Sequence, residues 1–407
     1  MKGPGVQDRF CWHAAAVVTD GDTVSIGPGM AALPVSVIAD RPAGAAVQAV
    51  FAAAAAGLAF RVGLPDAPPP VAGPVPVFET LTSGSSGAAR RIRRTQASWI
   101  ASFAVNARLF GIGPGVPVAV LGRLVQSLAL YAAVEAVHLG AALHLLEGLR
   151  PDRQRRALAA RGGEVLYATP AQLRLLVAAG GPALPALRVV LVGGAALDAP
   201  LSAALADMCP GAEMREFYGA AEASFIALAD AATDGGAVGQ PYPGVEIALR
   251  DAAGAPVIEG EVGAIWVRSP YLFQDYAGAD RGGAVWDRGW LWPGDYGRML
   301  RGQLHLAGRA GRMVTVADQN VFPEEIEAWM AGLPGVVQVA VIARPDGLRG
   351  HVIEAVLCGD PAAEPALLAA CRARFGPLKA PRRLHWRDNW PLLPSGKTDL
   401  RALEAGL

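Results

Sequence analysis

The loop Thr82-Ser83-Gly84-Ser85-Ser86-Gly87 alternates hydroxyls with glycines. Glycine lets a backbone approach a phosphate closely, and hydroxyls and amides donate to its oxygens. The spacing is neither that of a Walker loop nor G-x-G-x-x-G, and alone it reads equally as a flexible linker. Its flanks favour a phosphate. Arg90, Arg91, Arg93 and Arg94 leave the loop and put cations where a triphosphate needs them. Further on, Glu216-Phe217-Tyr218-Gly219-Ala220-Ala221-Glu222 offers a ring to stack on a base and a carboxylate able to hold Mg²⁺ through oxygen. Gly289-Trp290-Leu291-Trp292-Pro293-Gly294-Asp295 ends on a carboxylate suited to ribose hydroxyls, and Gly308-Arg309 follows. Pro394-Ser395-Gly396-Lys397 closes the series. Singly, these later segments read as ordinary loops, and Lys397 as a solvated charge.

The elements that position them form an α/β pattern. Thr23–Ile26 reads as a strand, 43–59 as a helix, and the proline-rich 65–76 as an extended connector. A strand at 75–81 enters the loop, and 95–110 reads as a helix. Strands at 116–121, 141–146, 164–167 and 187–192 then alternate with helices at 124–139, 152–160 and 170–179. That rhythm predicts a mostly parallel sheet covered by helices. Beyond Gly239, strands near 245–249, 264–267 and 303–306 predict an antiparallel region. From about 312, a helix at 323–330, strands at 336–343 and 352–357 and a helix at 364–375 predict a small α+β unit.

Composition narrows the partners. The 407 residues carry no net formal charge, which gives no long-range pull on nucleic acid. The four cysteines form no C-x-x-C pair and the six histidines no zinc pattern, which predicts a reducing, cytoplasmic setting without structural zinc. Residues 1–9 lack the apolar core of a signal peptide. The Ala-rich run 44–60 is too short for a span and reads as a buried helix, so no membrane span is expected. Only three lysines, Lys2, Lys379 and Lys397, stand among 33 arginines, which singles out Lys397 as a compact, mobile cation.

In their order, the segments resemble the adenylate-forming superfamily of acyl- and aryl-CoA synthetases, peptide-synthetase adenylation domains and luciferases, over roughly residues 78–400. The motif T-S-G-S-T-G-x-P-K-G falls on Thr82 to Arg91, and Y-G-x-T-E on Tyr218 to Glu222. G-x-P-x-P-G-x-E falls on Gly239 to Glu246, and G-W-x-x-T-G-D on Gly289 to Asp295. G-R falls on Gly308-Arg309, N-V-x-P-x-E-I-E on Asn320 to Glu327, and a closing G-K on Gly396-Lys397.

The resemblance implies a large domain over 1–309 and a small mobile domain over 310–407 carrying a catalytic lysine. It implies ATP and Mg²⁺, with Thr82, Ser83, Gly84, Ser85, Ser86 and Gly87 cradling phosphates. Gly193, Gly194, Ala195, Glu216, Phe217, Tyr218 and Gly219 border the adenine. Asp295 and Arg309 hold the ribose, and Glu222 the metal. Lys397, Glu222 and Arg90 serve the chemistry, and Gln126, Ser127, Leu130 and Ser224 line the acid pocket. The implied reaction joins an aryl or fatty acid to AMP, then passes the acyl group to a thiol of coenzyme A or of the phosphopantetheine on an acyl carrier protein.

The sequence departs from the pattern in several places. Arg90 replaces a lysine, Ala221 and Pro293 each replace a threonine, and Gly311 stands where a hinge Asp or Lys is usual. Thr315 and Asp318 alter the side from which the thiol arrives, and Gln126 stands where histidine is frequent. About eighty residues precede the loop, fewer than family members usually have. A protein of this fold that binds a nucleotide or partner but has lost catalysis is the rival reading. Lys397, Asp295, Arg309 and Glu222 count against it.

Overall fold

A computed structural model describes residues 8–27, 33–82, 90–278, 282–317, 319–393 and 398–407, with the side chains of 23–26 left aside. Contacts divide the chain into two units. The first is 1–232, 239–246 and 267–291; the second is 233–238, 247–266 and 292–407. The segments 247–266 and 292–309 thus group with the C-terminal α+β segment.

In the first unit the alternating strands and helices build a nine-stranded sheet. Its order is Gln240–Pro241, Ser224–Leu228, Glu213–Ala220, Val189–Gly193, Val165–Ala168, Pro117–Val120, Ala142–Leu145, Val17–Asp20, Thr23–Ile26. From Val17–Asp20 to Glu213–Ala220 the neighbours are parallel. Val165–Ala168 and Val189–Gly193 are buried along their whole length, as strands covered on both faces must be. Beyond Glu213–Ala220 the chain reverses into antiparallel pairing. The helix Ser127–Leu139 is buried at every position from Ala129 to His138 and ends at Gly140, whose φ is 85°. It starts three residues later than the pattern predicts, after Gln126 in an extended conformation. The first helix is also shorter than predicted, Ala43–Ala55: Gly57 turns left-handed at φ 73° and feeds the buried strand Phe60–Val62.

A second sheet in this unit runs Asp275–Tyr276, Arg91–Thr95, Val77–Leu81, Phe60–Val62, Val37–Ile38. Phe10, Phe60, Phe78, Trp99 and Phe103 pack together beside it, with ring centroids 4.6–6.4 Å apart. The proline-rich connector is irregular, as expected, and is organised by one residue. Arg61, fully buried, donates to the carbonyls of Gly63, Leu64, Ala67 and Pro68 and pairs with Glu79 at 2.7 Å.

The second unit contains the antiparallel pair Asp295–Leu300 and Gln303–Arg309. It also holds the pair Val314–Val316 and Gln319–Val321, and the three-stranded sheet Val336–Asp346, Gly350–Gly359, Leu384–Trp386. The helices Pro323–Met330 and Glu364–Lys379 cover a core of Ile326, Met330, Val341, Ile353, Leu357, Leu367 and Cys371. Gly376 kinks the latter helix at φ 77°. The large α/β part with parallel strands and the smaller α+β part match the expected fold class. Among the described residues, no helix is long and apolar enough to cross a membrane.

Candidate functional site

The Gly/Ser loop springs from the hairpin Val77–Leu81 and Arg91–Thr95. At its base the Thr82 amide donates to the Arg90 carbonyl at 2.9 Å, and the Arg90 amide donates to Thr82 Oγ1 at 3.0 Å. Two reciprocal bonds therefore fix where the loop begins and ends. Ser83, Gly84, Ser85, Ser86 and Gly87 lie outside the described residues.

The expectation that four arginines line the phosphates needs correction. Strand alternation puts Ile92 and Arg94 on one buried face. Arg94, 1 % exposed, donates to the Tyr271 carbonyl at 3.0 Å and to Ser224 Oγ at 2.8 Å. Burial lowers its pKa to about 10, an effect opposed by the nearby charge of Glu222. Arg91 reaches back to the Pro68 carbonyl and to Glu79 at 3.6 Å. The Arg93 guanidinium lies beside Gly73, where a Cβ would come within 2.9 Å of Nη2, and the Arg90 backbone sits at the loop's neck.

Glu222 lies in the tight turn between Glu213–Ala220 and Ser224–Leu228. Gly219 makes the turn feasible, because a Cβ there would overlap the Ser224 carbonyl. Ser224 itself is left-handed at φ 59°. Glu222 Oε1 accepts from the Tyr276 hydroxyl at 2.7 Å. No group of three or more His, Cys, Asp and Glu among the described residues could hold a metal.

Gly193, Gly194 and Ala195 run from the end of a buried strand to an exposed surface. A Cβ on Gly193 would strike the Phe217 ring, so the glycine gives that ring its place. Glu216 accepts from the Leu197 amide at 2.8 Å and ties down the segment after Ala195; burial raises its pKa. Tyr218 is half-buried on the same strand.

Of the expected acid-pocket residues, Ser127 donates to the Leu81 carbonyl at 2.8 Å, Leu130 is 3 % exposed, and Gln126 is exposed at the helix start. One turn beyond Leu130 a polar cluster fills the interior. Glu135, fully buried, accepts from Asn106 at 2.8 Å, from Tyr131 at 3.2 Å and from Tyr167. Tyr242 donates to Asn106 Oδ1 at 2.6 Å. Burial raises the Glu135 pKa to about 7.

In the second unit Asp295 and Arg309 face each other across an antiparallel pair, with Nε to Oδ1 at 3.1 Å. Asp295 is 5 % exposed while the Arg309 side chain is half-exposed. Beyond Gly311, Arg312 grips Glu327 at 2.8 and 2.9 Å and the Val341 carbonyl at 2.9 Å. Lys397 and Asp318 lie outside the described residues.

The sequence pattern missed Tyr276 and the Glu135 cluster. Tyr276 meets Glu222 across 54 residues on a two-residue strand, and no local spacing announces that. Glu135 was discoverable in principle, as an acid inside an otherwise apolar helix.

The family model described as AMP-binding enzyme matches residues 18–277, and that for the AMP-binding enzyme C-terminal domain matches 325–397. An uncharacterized acyl–CoA ligase of Bacillus subtilis, YhfT, is 31 % identical over 79 % of this chain and 67 % of its own length. The 3-hydroxybenzoate–CoA ligase of Aromatoleum sp. is 28 % identical over 83 % of this chain and 68 % of its own length. The chain spans between 42 % and 68 % of the length of the first curated relatives it matches. The amide bond synthetase McbA from Marinactinospora thermotolerans shares the fold at 23 % identity, with a TM-score of 0.81 and 96 % of each chain covered. The AMP-binding enzyme model covers more than half of the chain, and the C-terminal-domain model follows it in order, which places the chain in the AMP-binding enzyme family.

Proposed function

We propose that this protein uses ATP to activate a carboxylic acid as an acyl-adenylate and then hands the acyl group to a thiol. A carboxylate oxygen of the acid attacks the α-phosphorus, and the bond to pyrophosphate breaks. The loop from Thr82 to Gly87 would hold the phosphates, Asp295 and Arg309 the ribose, and Gly193 to Ala195 with Glu216 to Gly219 the adenine. Glu222 would hold Mg²⁺, which offsets charge on the phosphoryl oxygens when bound. Lys397, on a domain that pivots after residue 309, would meet the carboxylate and α-phosphate, with Arg90 near the loop. The observation that carries this reading is the pairing of Asp295 with Arg309, in the order and spacing the family motifs require.

The acid is an aryl or fatty acid on this reading. Relatives named as 3-hydroxybenzoate–CoA ligase, feruloyl-CoA synthase and medium/long-chain-fatty-acid–CoA ligase support that range. Coenzyme A is the first acceptor to test. A carrier protein is the second, supported by a relative named as a fatty acid–[acyl-carrier-protein] ligase and by the altered Thr315 and Asp318. ATP–pyrophosphate exchange over a panel of aryl, fatty and amino acids tests the activation step. Exchange with an aryl or fatty acid, abolished by Lys397→Ala, is the expected result. No exchange with any acid favours the rival of a fold that binds without catalysis. Adding coenzyme A or a carrier protein then separates the acceptors.

A further inference from the structure

Glu222 is held from outside its own hairpin. The residue before it is Ala221, which has no hydroxyl to offer. The hydroxyl that meets the carboxylate comes from Tyr276, at 2.7 Å from Oε1. The Glu222 carbonyl also accepts from the Phe273 amide at 2.8 Å, so main chain and side chain are tied to the same segment.

That segment is the edge strand beside the loop's exit. Tyr276 pairs with Ile92, two residues after Arg90, and Asp275 pairs with Arg93. The amides of Gln274 and Ala277 donate to the carbonyls of Arg93 and Arg91, which locks the register. The Tyr276 ring packs edge-on against Phe273, with centroids 5.0 Å apart. A Cβ on Gly282 would overlap that ring, so the ring has little room to swing.

On the reading that Glu222 ligates the nucleotide's metal, we propose that Tyr276 is the positioning residue for Glu222: its hydroxyl takes one carboxylate oxygen, sets the carboxylate plane, and couples that plane to the strand leaving the phosphate loop. A ligand carboxylate gains both orientation and tuned basicity from such a partner, and losing the partner typically costs about 10- to 100-fold in metal affinity or activity.

The test compares Tyr276→Phe, Glu222→Gln and Phe273→Leu with the parent in the full chain. Mn²⁺ binding is titrated by electron paramagnetic resonance with a non-hydrolysable ATP analogue present, and the Mg²⁺ dependence of pyrophosphate exchange is measured alongside. Tyr276→Phe keeps the ring and should weaken Mn²⁺ binding about tenfold. It should raise the KM for Mg²⁺ more than it lowers kcat, and leave thermal unfolding and metal-free analogue binding unchanged. Phe273→Leu loosens the ring packing but keeps the hydroxyl, so it should retain parental Mn²⁺ affinity. If Glu222→Gln loses Mn²⁺ while Tyr276→Phe binds it as the parent does, the positioning role falls and the metal role stands. If Phe273→Leu weakens Mn²⁺ as much as Tyr276→Phe, the hydroxyl is not the agent. If Glu222→Gln keeps parental affinity, the metal role and the positioning role fall together.

Discussion

Glu135 carries a pH signature. Burial lifts its carboxyl to about 7, above the ordinary value near 4.3 of an exposed Glu. Between those values the folded chain holds a proton that the unfolded chain has released. The resulting stability is fully present below the unfolded value and is lost as pH rises toward 7. Glu135→Gln removes that dependence. Urea unfolding should therefore show the variant gaining on the parent as pH climbs from about 4.5 to about 7.5. A difference that does not change with pH would refute the assignment. Gly219 supports a second expectation. A methyl there meets the Ser224 carbonyl, which has no slack. Gly219→Ala should cost about 1–3 kcal/mol in urea unfolding and lower pyrophosphate exchange, because the turn it distorts carries Glu222. Parental stability and activity in that variant would show that the turn can yield.

At the scale of elements, Arg61 does for the proline-rich connector what a ladder does for a strand, gathering four carbonyls around one guanidinium. Arg61→Ala leaves Glu79 buried, with Arg91 still 3.6 Å away. The loss should be about 3–5 kcal/mol, read by urea unfolding, and Arg61→Met with Glu79→Met should recover part of it. A loss within about 0.5 kcal/mol would place the pair among ordinary surface contacts. The elements of the first unit differ in how far the sequence announces them. The strands 165–168 and 189–193 were legible because both faces are covered, so their apolar runs are unbroken. Arg91–Thr95 was not legible as a strand, because its cations suggested a ligand while their partners lie far along the chain. The helix Ala199–Met208 also escaped, although Asp198 caps it by accepting from the Leu201 amide. Motifs singled out Glu222, Asp295 and Arg309 as candidates. Only the pairing of distant strands revealed Tyr276.

For the molecule as a whole, binding of nucleotide should be visible as stability. A ligand at a hundred times its Kd adds about 2.7 kcal/mol to the folded state. Magnesium with a non-hydrolysable ATP analogue should raise the thermal unfolding midpoint, and Asp295→Ala should blunt the rise. No shift at millimolar analogue would count against the nucleotide reading. The strand order of the large sheet has one more consequence, for synthesis. Val17–Asp20 pairs with Ala142–Leu145, so the outer hairpin of the sheet has no seat until the chain has grown past residue 145. At about 5–20 residues per second, that hairpin leaves the ribosome roughly 6 to 25 seconds before its neighbour exists. The apolar helix Ala43–Ala55 emerges in the same interval, so apolar surface of this part of the chain waits uncovered during translation, the condition that favours aggregation.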